Sequence, residues 1–312
     1  MRTRPVFSSS YPVTSIDGHQ TVLLHEAIDL LKIKSTDVVV DATLGAAGHA
    51  KAIVEKLGSN GVFVGFDLDA DAIERTQSAL AGAKSGIHLI ESNFREIADR
   101  LHALNITHVD KALFDLGWSG YQLDAGRGFS FNTDDPLLMT YAKNPASDAL
   151  TARTIVNDWK EESLADIIFG WGEERFARRI AKAIVARREE KPIETARELA
   201  EIVQGAVPVF ARRGRIHPAT KTFQALRIAV NDELGALEGG LRGAWRRLSP
   251  GGRIAVIAFH SIEDRLVKRE FSELEKRGEG KRITKKPLTP SDKEIKENPR
   301  ARSAKLRVIE KI

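Results

Sequence analysis

The 312 residues include no cysteine, which excludes disulfides, cysteine-ligated zinc, iron–sulfur clusters and thiol nucleophiles together. Long apolar runs are missing as well, since stretches such as Ile254–Phe259 are far too short to cross a bilayer. Residues 1–16 carry no acid and contain no apolar h-region, so they do not read as a secretory signal; residues 1–18 are expected to form a frayed tail. The G-x-G-x-x-G fingerprint of dinucleotide enzymes is absent, and so is the G-x-S-x-G elbow of serine hydrolases. No internal repeat is present. What remains is ordinary for a globular protein: 42% hydrophobic and 29% charged residues, on a chain long enough for one large domain or two.

Charge is unevenly distributed. The net charge of +5 is modest, but no acid occurs from Ile202 to Asn231, a span that holds Arg212, Arg213, Arg215, Lys221 and Arg227. The segment from Lys276 to Ile312 has thirteen Lys or Arg against five Asp or Glu. Such stripes are electrostatic footprints for phosphates, although a solvated surface produces them too.

The most informative run is Val38-Val39-Val40-Asp41, followed by the small-residue loop Ala42–Ala47 and a helix opening at Gly48-His49. A second β-rich run, 61–67, ends at Asp67, a third covers 87–91, and Lys111–Phe114 precedes Asp115. Helical stretches at 48–57, 69–81 and 94–104 alternate with them, which predicts a parallel α/β sheet with crossover helices. The rhythm stops at the glycine- and aspartate-rich segment 116–136. Residues 147–204 are helical in pattern, with Phe176, Ile180 and Ile184 every fourth residue. A single long helix is expected from about Thr220 to Leu248, then a turn at Ser249–Gly252, a buried strand Arg253–Phe259, a helix Glu263–Lys276 and a last strand Leu306–Ile312. The expected domains are a split sheet domain, 19–136 with 216–312, and an inserted helical domain, 137–215.

In open α/β sheets ligands bind beyond the carboxyl ends of the strands. Asp41, Gly45, Gly48, Asp67, Asn93-Phe94, Asp115 and His260 all fall at such ends. Asp67 follows Gly45 by 22 residues, the distance at which an acid meets ribose hydroxyls, while each such aspartate alone could be a helix cap. Asp115-Leu116-Gly117-Trp118 resembles the strand-four motif of amino methyltransferases. A base's exocyclic amine is a poor nucleophile, and an acceptor beside its N–H holds the nitrogen in line with a methyl donor. Trp118 and Tyr121 are candidates to stack on a splayed base, or for local packing. His49 has no partner for metal binding and is expected to make a hydrogen bond. His217 is read as structural or as an RNA phosphate contact.

Longer stretches resemble one family. His19–Ala27, Asp41–His49, Phe114–Gly117, Gln122–Asp124, Arg127–Phe131, Gly172–Ile180, His217–Leu234, Ala258–Arg265 and Asn298–Val308 are similar to the bacterial ribosomal RNA small-subunit methyltransferase H family. The resemblance implies a class I, Rossmann-like methyltransferase sheet with an inserted all-helical substrate domain. It implies S-adenosylmethionine as cofactor and N4 of a decoding-centre cytidine in 16S rRNA as target. The partner would be that rRNA, in the small ribosomal subunit or a late assembly particle, in the cytoplasm and without a membrane, for a monomer or a dimer. Carried onto this chain, the cofactor positions are Ala47, Gly48, His49, Asp67, Phe94, Asp115 and Gln122. Asp115 is the catalytic candidate, and Trp118, Arg212, Arg213, Arg215, His217 and His260 are candidate RNA contacts. No metal is implied. The loop departs from the family in Ala46 and Ala47; Ala47 is expected to offer its backbone N–H provided its φ is negative. Trp118-Ser119-Gly120 and Pro136–Tyr141 depart as well. The alternatives are another nucleic-acid amino methyltransferase, a nicotinamide oxidoreductase and a non-catalytic RNA-binding assembly factor.

Overall fold

The computed structural model describes residues 20–117, 126–143, 145–212, 214 and 216–312. They form two compact units, one within residues 1–117 and 234–312 and the other within residues 118–233.

The first unit is built on a seven-stranded sheet. Its strands are β1 Val38–Asp41, β2 Val62–Asp67, β3 Gly86–Glu91, β4 Val109–Asp115, β5 Leu248–Ala258, β6 Gly280–Arg282 and β7 Lys305–Lys311, in the order β3-β2-β1-β4-β5-β7-β6. β3, β2, β1, β4 and β5 are parallel, and β7 runs antiparallel to both β5 and β6. Successive residues of each strand serve opposite faces, as the pleat requires. Val39, Phe63, Leu113, Ala255 and Ile257 join the core beneath helices Leu24–Leu31 and Gly48–Val54. Val40, Val64, Phe114, Ile254 and Val256 join the core beneath Ile97–Ala103, Glu233–Arg247 and Ser261–Lys276. Burial on both faces explains why these strands read as continuous β-branched runs. The strand order reverses between β1 and β4, which places a crevice at their carboxyl ends. This is the class I methyltransferase sheet.

Two expectations are corrected and one element is added. The helix expected from Thr220 to Leu248 is two helices, Thr220–Asn231 and Glu233–Arg247, because Asp232 takes a left-handed conformation (φ 45°). Aspartate tolerates that region better than most residues, so Asn231-Asp232 was the overlooked stop signal. The break falls beside the boundary between the units: Phe223, Ala225 and Leu226 lie in the core of the second, and Leu237, Leu241 and Ala244 in that of the first. Ser249–Gly252 is not a separate turn but an excursion within β5, whose pairing with β4 passes from Val109–Leu248 to Lys111–Arg253. Finally, the charged tripeptide Gly280–Arg282 forms an edge strand that no apolar pattern announced.

The second unit contains Ala152–Asp158, Glu161–Gly170, Ala177–Glu190, Ala196–Ala206, the short Val209–Arg212 and Thr220–Asn231. Thr151 and Thr195 cap two of these helices by accepting the N–H groups of Thr154 and Glu198. Ile155, Leu164, Ile180, Ile184, Leu199 and Val203 are fully buried within the unit. Gly172 sits where two backbones meet: a Cβ there would stand 2.5 Å from the Ile168 carbonyl oxygen and 2.6 Å from that of Lys221. Neither atom can move without breaking a helix. Gly172→Ala is therefore expected to destabilise the helical unit by about 2 kcal/mol. Hydrogen exchange resolved by segment checks this: protection should fall across 152–231 and stay unchanged in the sheet.

Candidate active site at the carboxyl edge of the sheet

The loop after β1 is sewn to its neighbours by its own backbone. Ala42 N–H donates to the Leu113 carbonyl (2.8 Å), Leu44 N–H to the Phe66 carbonyl (3.1 Å), and Gly45 N–H to Asp67 Oδ2 (3.0 Å). Thr43 links two strand ends. Its N–H donates to Asp41 Oδ1 (3.2 Å), and its Oγ1 accepts the N–H of Asp115 (2.9 Å). The sequence marked Asp41 and Asp115 but passed over Thr43, whose signal was the Asp-x-Thr spacing of a side-chain-bonded turn.

Ala47 differs from expectation. Its φ is +63°, and its N–H donates to the Leu44 carbonyl at 2.8 Å, so the condition of negative φ is not met. The loop must reverse in three residues, and the left-handed position falls on a residue with a Cβ. Gly48 opens the next helix with its Cα against Thr21; a Cβ there would collide with the Thr21 hydroxyl. His49 is buried, and its Nδ1 stands 3.4 Å from Asp115 Oδ2. Asp115 Oδ1 and Asp41 Oδ2 are buried with no hydrogen-bond partner among the described residues.

The electrostatics follow from this crowding. Burial pushes the Asp41 carboxyl up to about 7; the charge of His49 and the Thr43 N–H oppose the rise, and the charges of Asp115 and Asp67 add to it. Burial alone would lower His49, but its hydrogen bond to Asp115 and the charges of Asp115 and Asp41 hold the imidazole above its ordinary value. Asp67 is raised by burial, against the N–H groups of Gly45 and Asp69. Both of its oxygens already accept a backbone N–H, from Gly45 and from Asp69 (2.9 Å).

The remaining sequence candidates fall in different places. Phe94, just beyond β3, packs edge-on to Phe114 with centroids 5.7 Å apart. His260, at the end of β5, caps the Ser261–Lys276 helix: its Nδ1 accepts the Glu263 N–H at 3.3 Å, and Glu263 Oε2 accepts the N–H of His260 in return. In the helical unit, Arg212 donates to the carbonyls of Val207 (2.8 Å) and Gly205 (2.9 Å) and so closes the Ala196–Ala206 helix. His217 Nδ1 accepts the Ala219 N–H, and its ring stacks on Phe131 with centroids 4.4 Å apart. Trp118, Gln122, Arg213 and Arg215 lie outside the described residues.

A reversed-order parallel sheet with acids gathered at its carboxyl edge defines a nucleoside-binding fold of the class I methyltransferase type. The MraW methylase family profile matches residues 17–312. A ribosomal RNA small subunit methyltransferase H of Paenibacillus sp. (strain JDR-2) is 46% identical, covering 94% of this chain and 99% of that protein. The protein of that name from Clostridioides difficile (strain 630) is 44% identical, covering 94% and 99%. A solved rRNA methylase from Streptococcus thermophilus aligns with a TM-score of 0.45 at 13% identity, covering 93% of this chain and 96% of that one, a likeness that says nothing about ligands. The chain belongs to the MraW methylase family, together with these small-subunit rRNA methyltransferases H. It is a methyltransferase dependent on S-adenosylmethionine.

The edge fits that cofactor. The N–H groups of Thr43, Leu44, Gly45 and Ala47 are all consumed within the protein, whereas Asp41 Oδ2 and Asp115 Oδ1 are acceptors without donors. Such a loop offers little to a pyrophosphate and much to a cation. The strain at Ala47 gives a direct test: Ala47→Gly should raise stability by about 1 kcal/mol, since only the Cβ opposes φ +63°. Denaturant unfolding would show the gain, and an unchanged or lowered midpoint would rule out strain at this position.

Proposed function

We propose that the protein transfers the methyl group of S-adenosylmethionine to N4 of a decoding-centre cytidine in 16S rRNA. Asp115 carries this reading: an aspartate at the end of β4, held at its backbone by Thr43 and at one oxygen by His49, with its other oxygen buried and unpartnered. When bound, S-adenosylmethionine supplies an electrophilic methyl on a positively charged sulfur. Asp41, His49, Asp67 and Gly48 would hold it, with Phe94 beside the adenine; Gln122, which the family resemblance assigns to the methionine end, lies outside the described residues. The N4 lone pair must point at the methyl carbon; as the new N–C bond forms the methyl–sulfur bond breaks, its electron pair stays on the departing neutral thioether, and one N–H proton must leave. Asp115 Oδ1 would accept that N–H, turn the lone pair into line and take the departing proton toward water. No covalent enzyme intermediate is needed, and there is no cysteine to form one.

The helical unit would serve as the substrate-recognition domain, and the partner would be 16S rRNA in the small subunit or a late assembly particle, in the cytoplasm. No described helix is long and apolar enough to cross a membrane.

Asp115→Asn keeps the shape but loses the strong acceptor. It is expected to lower kcat by about a hundredfold or more while cofactor binding persists. Near-normal methylation of under-methylated small subunits by this variant would remove Asp115 from the mechanism.

A pH dependence follows from Asp41. Its carboxyl is neutral below about 7 in the free protein, and a bound cation favours the ionised form, so binding must release the proton. Cofactor affinity should therefore climb as pH rises toward about 7 and level off above it. Calorimetry of S-adenosylmethionine binding from pH 5.5 to 8.5, a range taken roughly around that value, would show the rise, and Asp41→Asn should flatten it. A flat profile in the parent protein would mean that Asp41 does not face the cofactor.

A further inference from the structure

Arg212 closes a helix, and Arg213 and Arg215 lie outside the described residues, so among the described residues an RNA surface on the helical unit rests on others. The Ala177–Glu190 helix supplies them. Its arginines near the carboxyl end are spent internally: Arg187 on Glu198, and Arg188 on the carbonyls of Val156 and Trp159. Those near the amino end are not. Arg178, Arg179 and Lys182 lie exposed on one face, three and four residues apart, and join no ion pair among the described residues.

An exposed aromatic group meets the amino end of this helix. Phe210 is 71% exposed and Val209 63%. The Phe210 ring meets Phe176 nearly edge-on, with centroids 6.2 Å apart. Arg175 lies against both rings, its Cζ 4.7 Å from the Phe176 centroid and 5.7 Å from that of Phe210. Glu173 is the nearest acid in sequence that is exposed; Glu174 is buried and accepts the Phe176 N–H. An apolar protein partner would favour a broad greasy face. Phe169 and Ile216 are exposed in this unit too, but Phe210 is the ring with a guanidinium, that of Arg175, against it, in a unit whose segment 202–231 has no acid.

We infer that Phe210, with Arg175 and the Arg178–Arg179–Lys182 face, is a docking platform for single-stranded RNA. An unpaired base stacks on Phe210 beside the Arg175 guanidinium, and the flanking phosphates lie along the cationic face. The inference rests on the proposed rRNA substrate and names where the helical unit grips it.

The test is a binding titration of the full-length protein with unmethylated 16S rRNA and with small subunits lacking the modification, run at several salt concentrations. Phe210→Ala should weaken binding to both about tenfold, and Phe210→Trp should restore it. Replacing Arg178, Arg179 and Lys182 together by Gln should make the slope of log affinity against log salt shallower by about 2. Phe210 lies on the surface, so melting should be unaffected. Unchanged affinity in both variants would overturn the platform, as would a loss confined to intact subunits with the salt slope preserved, which marks a protein contact. Methyl transfer by the parent protein is scored separately. Its absence, with binding still dependent on Phe210, would remove the methylation reading and keep the platform; its presence, with binding indifferent to Phe210, would do the reverse.

Discussion

Thr43 holds the ends of two parallel strands in one arrangement, and the candidate site depends on that hold. Parallel strands finish with backbone groups that the ladder no longer satisfies, and any fixed loop must find partners for them. Here the Thr43 hydroxyl receives the Asp115 N–H while its own N–H is turned onto Asp41. The flanking bonds from Ala42 to Leu113 and from Leu44 to Phe66 complete the seam across β4, β1 and β2. With the backbone fixed in this way, the carboxylates of Asp41, Asp67 and Asp115 cannot move apart to relieve their repulsion. The strained Ala47 belongs to the same construction, since the loop has to turn back to start the helix that carries His49.

Much of this frame was legible in the residues. The runs Val38–Val40 and Val62–Phe66 read as strands because they are buried on both faces, and burial on both faces erases alternation in favour of continuous β-branched residues. The positions of Asp41, Asp67, Asp115 and His260 then followed from where those runs stop. The role of Thr43 did not follow, because it depends on β1 pairing with β4, a contact between residues 72 apart in the chain. The conformation of Ala47 was hidden for a related reason: φ is set by how far the loop must turn, and composition does not carry that. The break at Asp232 was local and readable, but it was masked by helix-forming residues on both sides.

Cations are a harder case, because a guanidinium reads identically in sequence whether it binds a carbonyl, a carboxylate or a phosphate. Arg212 and Arg175 both sit in arginine-rich stretches, yet one is spent on Val207 and Gly205 and the other lies against two phenylalanine rings. What separates them is geometry. Arg212 follows the exposed carbonyls of a helix end, where a donor is needed whatever the protein does. A count of basic residues therefore overstates the surface available to phosphates, and the part left over is smaller and better defined.

The same accounting decides what the sheet edge can hold. In a pyrophosphate-binding loop the glycines expose N–H groups to the ligand, and the site is rich in donors. Here Thr43, Leu44, Gly45 and Ala47 turn their N–H groups inward, and the surplus is of acceptors. A surplus of buried acceptors is costly in the free protein, which is why Asp41 keeps its proton up to about 7. The cost falls when positive charge arrives, and a ligand bound only by the folded state stabilises that state in proportion. A sulfonium nucleoside meets both demands, with hydroxyls for the acids on its ribose and charge at its reacting end. A nicotinamide dinucleotide would bring its two phosphates to a loop in which these four donors are already turned inward. The missing third glycine is thus one sign of a wider pattern, in which the loop's hydrogen bonds are arranged to receive a cation.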